Sequence, residues 1–297
     1  KGNQLIQTGG VFNSTAAVAV YIIMGALIGD AAKAKISDAT PALMIALAIF
    51  VIAFIVIFFT KIEEPQQHVE VKSGEKAPYS AFSFRHFNLG ILAIGLYGGV
   101  EMGIPGFILQ YLTAAKDAVT PGLGMDAGYV GTLAAVYFLL MLIGRFIGAS
   151  VGGKVSTKAM ITFVSATAVV LTALGIYLPT DITVSIPGID YTNMALLWGN
   201  IPVGIFCFLL VGLCASVMWG GIFNLATEGL GKYTAIASGA FMTMVCGFAI
   251  MVGIQGLVAD WTHSYLISYW VPLLCAAYIL YYALWGSKNV NTDIPVE

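Results

Sequence analysis

The chain has 297 residues, of which 59% are hydrophobic and 9% charged, and its net charge is −2. A soluble domain carries about 25% charged residues, so this composition excludes a soluble globular protein. The 13 basic and 15 acidic residues leave no basic excess, and we therefore expect no nucleic-acid partner. The apolar excess indicates that the lipid bilayer is the main partner of the chain.

Eight stretches are long and apolar enough to cross a bilayer as helices, since a crossing takes about 20 residues. Strands of a membrane barrel would alternate in polarity, whereas residues 42–59 are apolar on every face. We therefore predict an all-α membrane protein. The predicted spans are 11–29, 41–60, 88–115, 127–150, 159–179, 199–225, 233–259 and 265–286.

The positions of Lys and Arg predict the orientation of the spans, because basic loops stay in the cytoplasm. Ten of these residues fall at one set of helix ends and three at the other. This split places both ends of the chain in the cytoplasm. It also makes the polar segment 61–87 a cytoplasmic linker and residues 289–297 a cytoplasmic tail, while 179–198 is a short outer loop punctuated by Pro and Gly.

Motifs of enzymes are missing from the sequence, which has no HExxH, GxSxG or GxxxxGK[ST] pattern. His68, His86 and His263 are expected to lie in loops, and the four cysteines sit in apolar runs without ligand spacing. We therefore expect no enzyme and no catalytic residues. Secondary transport is the simplest class that remains.

Glu101 is the one acidic residue predicted near the middle of a span. A carboxylate at that depth costs at least ~2.5 kcal/mol, so it indicates a wet cavity or a cation, or else a protonated group bonded to a neighbouring helix. Pro105 has no N–H for the carbonyl of Glu101, and we predict a break in the helix there. A carboxylate beside a free carbonyl predicts a coupling site for H⁺ or Na⁺.

Other polar-capable side chains in the apolar runs form a candidate set for substrate binding. Trp has a flat apolar face that fits the C–H side of a sugar ring, and amides can donate to and accept from hydroxyls. Each of these residues alone is more often a packing or interhelical contact. The predicted substrate-binding set is Asn13, Tyr97, Gln110, Trp219, Asn224 and Gln255.

Arg145 ends the fourth predicted span, and Lys154 follows nine residues later. One interpretation is a cytoplasmic anchor for the helix end. The other is a gating pair that locks adjacent helix ends in one transport state. The sequence favours neither.

Several segments resemble the fucose permease and glucose/galactose transporter branch of the major facilitator superfamily. The strongest resemblance is GLCASVMWGGIFNLATEGLGKYT at 212–234, which is similar to the tenth helix of that branch. YGGVEMGIPGFILQYL at 97–112 is similar to the seventh helix, including the acid at Glu101. GRFIG at 144–148 is similar to the end of the eighth helix, and FNS at 12–14 to the fifth.

The resemblance implies a major facilitator fold with eight of twelve transmembrane helices in this chain. Residues 1–60 would be the last two helices of the N-terminal bundle, and 88–288 the C-terminal six-helix bundle. It implies inward symport of a neutral hexose or deoxyhexose, such as fucose, glucose or galactose, by alternating access in the inner membrane. The co-transported ion would be H⁺ or Na⁺, with no other cofactor, and we expect a monomer.

Three positions depart from the pattern of that branch. The first is the pair Gly220–Gly221, which replaces Pro-Thr and counts here as one site; at the other two, Val252 replaces a proline and Gly10 replaces a glutamine. All lie near the expected cavity, so the identity of the sugar stays open. The alternatives are a transporter of another small solute on the same fold and a non-transporting membrane receptor.

Overall fold

The computed structural model describes residues 9–20, 23, 35–61, 79–190 and 195–296. The α-helices are α1 (Gly9–Val20), α2 (Thr40–Phe59), α3 (Arg85–Gly98), α4 (Ile104–Thr113), α5 (Ala127–Val151), α6 (Thr157–Tyr177), α7 (Val203–Thr227), α8 (Thr234–Thr243), α9 (Gly247–Thr262), α10 (Tyr265–Ser268) and α11 (Trp270–Tyr281). Strands β1 (Thr183–Asp190) and β2 (Ala195–Pro202) pair with each other. Two π-helical segments (Gly99–Gly103, Tyr282–Gly286) and four 3₁₀ turns (Ile36–Ala39, Ala81–Ser83, Gly231–Tyr233, Met244–Cys246) complete these elements.

Seven helices in the described part of the chain are long and apolar enough to cross a membrane, and some of them join several elements. They confirm the second to eighth predicted spans, with most ends shifted by a few residues. They are Ser37–Phe59, Arg85–Thr113, Ala127–Val151, Thr157–Tyr177, Val203–Thr227, Gly231–Thr262 and Tyr265–Gly286. Of the first predicted span, 11–29, the described residues include helix α1 and residue 23, and the rest lies outside them.

Two predictions at the start of α3 were wrong. The helix begins at Arg85, so the last residues assigned to the linker are helical. His86, expected in a loop, is a fully buried residue of α3, and its Nε2 atom lies 3.0 Å from the carbonyl oxygen of Glu228. The apolar surroundings of His86 extend the bundle beyond the predicted boundary.

Helix α1 packs against the C-terminal part of the chain through one face. Gly10, Ser14, Ala17 and Val18 recur at the three- and four-residue spacing that places side chains on one side of a helix. Ser14 is buried, and Ala17 and Val18 contact the hydrophobic core. This packing brings the main chain of α1 close to α5.

The core is centred on α3, α5, α7 and α11, whose inner faces are apolar and aromatic. Close approach of the helices depends on glycines. A Cβ on Gly144 of α5 would lie 2.4 Å from the Ser216 hydroxyl oxygen of α7, and one on Gly212 of α7 would lie 2.4 Å from the Tyr137 carbonyl oxygen of α5. Small residues at such contacts let helix backbones approach in a membrane bundle.

A β-hairpin, which the helical patterning did not predict, occupies most of the outer loop predicted at 179–198 and extends to Pro202, so the first four residues of the span predicted at 199–225 are strand. β1 and β2 are antiparallel. Tyr129 of α5 holds the hairpin, because its hydroxyl donates to the carbonyls of Ile186 at 2.9 Å and Gly199 at 3.0 Å. The Tyr129 ring fits there because position 199 has no side chain: a Cβ would lie 2.5 Å from the ring.

The predicted cytoplasmic tail packs back onto the bundle over residues 289–296. The Asn291 side chain accepts from the Arg85 N–H at 3.0 Å, at the start of α3. The carbonyl of Val296 accepts from the Lys232 N–H at 3.0 Å, and Ile294 is buried. The tail therefore joins the beginning of α3 to the turn before α8.

We expect Tyr129→Phe to loosen the hairpin while leaving the helices folded. The ring stays, but the carbonyls of Ile186 and Gly199 lose the one hydroxyl proton that they share, at a net cost of about 1 kcal/mol. Hydrogen–deuterium exchange should speed up in 183–190 and 195–202. Tyr177→Phe, at an exposed ring, is the matched control, and equal exchange in the two variants would contradict the assignment.

Candidate functional site

The helix that carries Glu101 widens into a π-helix over Gly99–Gly103, between α3 and α4. The predicted break is thus corrected: the helix continues through a wide turn, and Pro105 follows at the start of α4. The Tyr137 hydroxyl of α5 donates to the Val100 carbonyl at 2.9 Å, inside that turn. Such π-helical turns often occur at functional sites, because they turn a side chain out of the regular helical register.

Glu101 forms a buried ion pair with Arg145 of α5. The two side chains are almost completely buried, and Glu101 Oε1 lies 3.6 Å from Arg145 Nη2. Isolated charges are very costly in such surroundings, whereas an opposite charge and hydrogen bonds offset the cost. The pair explains how a carboxylate is tolerated at the middle of the bundle.

Arg145 also contacts two other helices. Its Nε donates to the Ser216 carbonyl of α7 at 3.3 Å, and its Nη1 donates to the Gly10 carbonyl of α1. A guanidinium has five N–H donors in a fixed plane, so it can serve several acceptors at once. Arg145 thus links α1, α5 and α7 with the π-helix at one point.

The interpretation of Arg145 as a surface anchor was wrong. Helix α5 continues to Val151, and the Arg145 side chain is 4% exposed. Lys154 is exposed in the turn that follows α5, so the structure does not bring the two basic residues into one cluster. A gating role for Arg145 and Lys154 stays a prediction.

A cavity of about 620 Å³ lies against the ion pair. This volume is in the range of pockets that bind small molecules, about 300–1,000 Å³. Its lining mixes glycines, polar groups and aromatic rings. The lining residues are Gly9, Gly10, Asn13, Glu101, Met102, Arg145, Ser216, Trp219, Gly220, Val245 and Phe248.

Trp219 presents a fixed aromatic surface to this cavity. Its ring stacks on Phe223 at 5.9 Å between centroids and meets Phe241 edge-on at 5.9 Å. Asn13 on α1 lines the same cavity with an exposed amide. An aromatic face, an amide and an ion pair therefore surround one space.

The other predicted substrate-binding residues lie outside the cavity lining. The Tyr97 hydroxyl donates to the Ala215 carbonyl at 3.0 Å and is fully buried. Gln110 is exposed near the end of α4, and Asn224 is half-buried on α7. Gln255 is buried on α9, and neither polar atom of its amide has a hydrogen-bond partner among the described residues. Their roles in binding stay predictions.

Sequence reasoning missed the partner of Glu101. A buried carboxylate calls for a nearby positive charge, and Arg145 was the basic residue closest to the interior of a predicted span. The contribution of Ser216 was not visible, because its carbonyl, which every residue carries, makes the contact. The Gly10 contact is of the same main-chain kind.

We expect Arg145→Met to destabilise the protein strongly, because the lone Glu101 charge would stay buried. Loss of one partner of a buried pair costs about 3–5 kcal/mol. The double variant Glu101→Gln/Arg145→Met should regain much of that loss. Thermal unfolding of the two single variants and the double variant in detergent measures the coupling, and additive losses would contradict a direct ion pair.

Comparison with known proteins gives relatives that are all named as transporters. No protein-family model matches the chain. A glucose/galactose transporter of Brucella abortus is 31% identical over 251 residues, which cover 84% of this chain and 53% of that protein. The L-fucose–proton symporter of Escherichia coli K12 is 25% identical over 252 residues, covering 84% of this chain and 51% of that protein.

The same fold occurs in a crystal structure of the E. coli fucose:proton symporter. The TM-score is 0.70 at 20% identity, and the match covers 97% of this chain and 70% of the other. This chain spans about half the length of the two relatives. The protein is a multi-pass membrane protein with part of the major facilitator fold, and the chain belongs to the major facilitator superfamily, in the branch of the glucose/galactose transporters and the fucose–proton symporter.

Proposed function

We propose that the protein is a secondary transporter that couples the inward movement of a neutral hexose or deoxyhexose to a cation. The observation that carries this proposal is the buried Glu101–Arg145 pair on the wall of a cavity that also holds Trp219 and Asn13. The relatives named as glucose/galactose transporter and L-fucose–proton symporter support a sugar as the substrate class.

Within this proposal, α1 and α2 are the last helices of an N-terminal six-helix bundle, and residues 88–288 form the C-terminal bundle. The site lies where α1 meets the C-terminal bundle, so rocking of the two bundles would expose it to each side in turn. The protein would act as a monomer in the inner membrane. Both ends of this chain would lie in the cytoplasm, in line with the distribution of basic residues.

The ion that fits Glu101 best is a proton. The guanidinium of Arg145 lies 3.6 Å from the carboxylate and would repel Na⁺ at the same oxygen atoms. A proton bonds directly to the carboxylate and needs no further ligands.

Protonation of Glu101 links the ion to the sugar through Arg145. While the carboxylate is ionised, it attracts the guanidinium, whose Nη2 lies 3.6 Å from Oε1. Once it is neutral, that attraction weakens, and sugar hydroxyl oxygens can accept from Arg145 in its place. Proton and sugar then stabilise the same state, which is the condition for coupling by differential binding.

The charge of the site follows from the same scheme. With Glu101 ionised, the pair is neutral, and with Glu101 protonated it carries one positive charge. The loaded site therefore moves a charge with the sugar, and the empty site returns without one. A membrane potential that is negative inside would pull the loaded site inward, by about 2.3 kcal/mol per 100 mV for a full charge crossing.

We expect Glu101→Gln to abolish accumulation while sugar exchange continues, because the amide keeps the shape of the side chain but cannot ionise. The measurement is uptake of labelled galactose, glucose and fucose into vesicles under separate pH and Na⁺ gradients. Glu228→Gln, outside the cavity, is the control. Unchanged accumulation in Glu101→Gln would contradict the coupling role.

Trp219→Ala should weaken sugar binding more than Trp219→Phe does, because an aromatic face is lost only in the first variant. Loss of a well-packed aromatic contact costs about 0.5–1.5 kcal/mol beyond the buried area. The half-saturating sugar concentration for exchange measures the effect. If the two variants behave alike, or if no sugar is moved, the alternatives of another small solute or a non-transporting receptor are favoured.

A further inference from the structure

The β-hairpin between α6 and α7 has an apolar face that the sugar site does not use. Leu196 and Trp198 alternate along β2 on one face, and their cross-strand partners are Ile189 and Pro187. Leu196 is 73% exposed and Trp198 is 64% exposed. Contiguous exposed apolar groups of this kind mark an interaction surface.

The opposite face of the hairpin is the one held by the protein. Gly188 and Gly199 lie on it, and a Cβ at either position would be within 2.5 Å of the Tyr129 ring. Tyr129 also donates to two hairpin carbonyls. The face with Leu196 and Trp198 therefore points away from α5.

The hairpin lies along the end of the bundle and does not project from it. The N–H of Ile189, near the tip, donates to the Thr132 hydroxyl of α5 at 3.2 Å. Thr132 is the sixth residue of the span Ala127–Val151 and so lies about 7 Å inside it at 1.5 Å per residue. If a hairpin of this length projected from the bundle, its tip would lie more than about 20 Å from the end of α5, at 3.3 Å per residue.

The neighbouring helix ends have aromatic rings at the same level. Tyr177 ends α6 and Trp270 begins α11, both rings are exposed, and they meet edge-on at 6.2 Å between centroids. Tyr and Trp are enriched where a membrane protein crosses from hydrocarbon to headgroups. The sequence 179–202 contains no Lys or Arg, so its fit to lipid does not depend on anionic headgroups.

We propose that the hairpin face formed by Leu196 and Trp198 binds the headgroup–hydrocarbon boundary of the bilayer. The hairpin would act as an in-plane anchor that fixes the ends of α5, α6 and α7 at one membrane depth. The partner is neutral phospholipid, recognised by apolar and indole contacts.

The test is spin-label accessibility in phosphatidylcholine nanodiscs. Leu196→Cys and Trp198→Cys are labelled singly in a Cys246→Ser background, since Cys246 is the exposed native thiol among the described cysteines. Oxygen concentrates in lipid, and a nickel chelate stays in water. Leu197→Cys, on the Tyr129 side of β2, is the matched control within the hairpin.

Labels at 196 and 198 should collide severalfold more often with oxygen than with nickel, and a label at Phe163→Cys, on the exposed side of α6, is the reference expected to do the same. A nickel preference equal to that of a label at Asp117→Cys, in an exposed turn, would overturn the proposal. Protection from both reagents would also overturn it, because another protein segment would then cover the face. Each of the two positions decides the question alone if the other variant does not fold.

Discussion

The organisation of the site depends on one constraint, that two opposite charges buried in an apolar bundle must stay together. Glu101 reaches the cavity from a widened helical turn, and Arg145 reaches it from within a long helix. Neither group can turn toward lipid without a large electrostatic cost. The remaining N–H groups of the guanidinium donate to main-chain carbonyls on α7 and α1. The Arg145 side chain therefore links α1, α5, α7 and the π-helix.

Tyrosine hydroxyls stiffen the same region. Tyr97, Tyr137 and Tyr269 are fully buried, and each donates to a carbonyl on another helix, those of Ala215, Val100 and Ile104. Buried hydroxyls usually find such partners, and main-chain acceptors beside a π-helix are close at hand. The most irregular stretch of the bundle is therefore braced from α5, α7 and the start of α11. If the proposed alternating access holds, its motion would then occur between the two bundles more than within the one that these tyrosines brace.

Much of the fold followed from the sequence, because hydrocarbon imposes a length and a polarity on every spanning helix. The approximate ranges of the last seven spans and the burial of Glu101 within one of them followed from that constraint. The hairpin did not, since eight-residue strands that do not span the membrane leave only a weak pattern between Pro and Gly. The site was predicted in part: Glu101, Trp219 and Asn13 line one cavity. Tyr97 and Gln255 are buried beside it, because polarity within a span does not tell which side of a helix faces the cavity.

Gly10 shows how a position without a side chain can restrict its neighbours. A Cβ there would lie 3.1 Å from the Arg145 Cδ atom, a tight contact, so the arginine side chain would have to shift by a few tenths of an ångström to keep its bond to the α1 carbonyl. The acceptor is the main-chain carbonyl of residue 10, which remains when that residue is substituted. A larger side chain at position 10 would still restrict the access of Arg145 to it. Positions 10 and 145 are thus coupled through volume, and a larger side chain at position 10 would displace the arginine side chain further. Aligned sequences should therefore vary together at this pair of positions, with the size of the first residue setting the contact between α1 and α5.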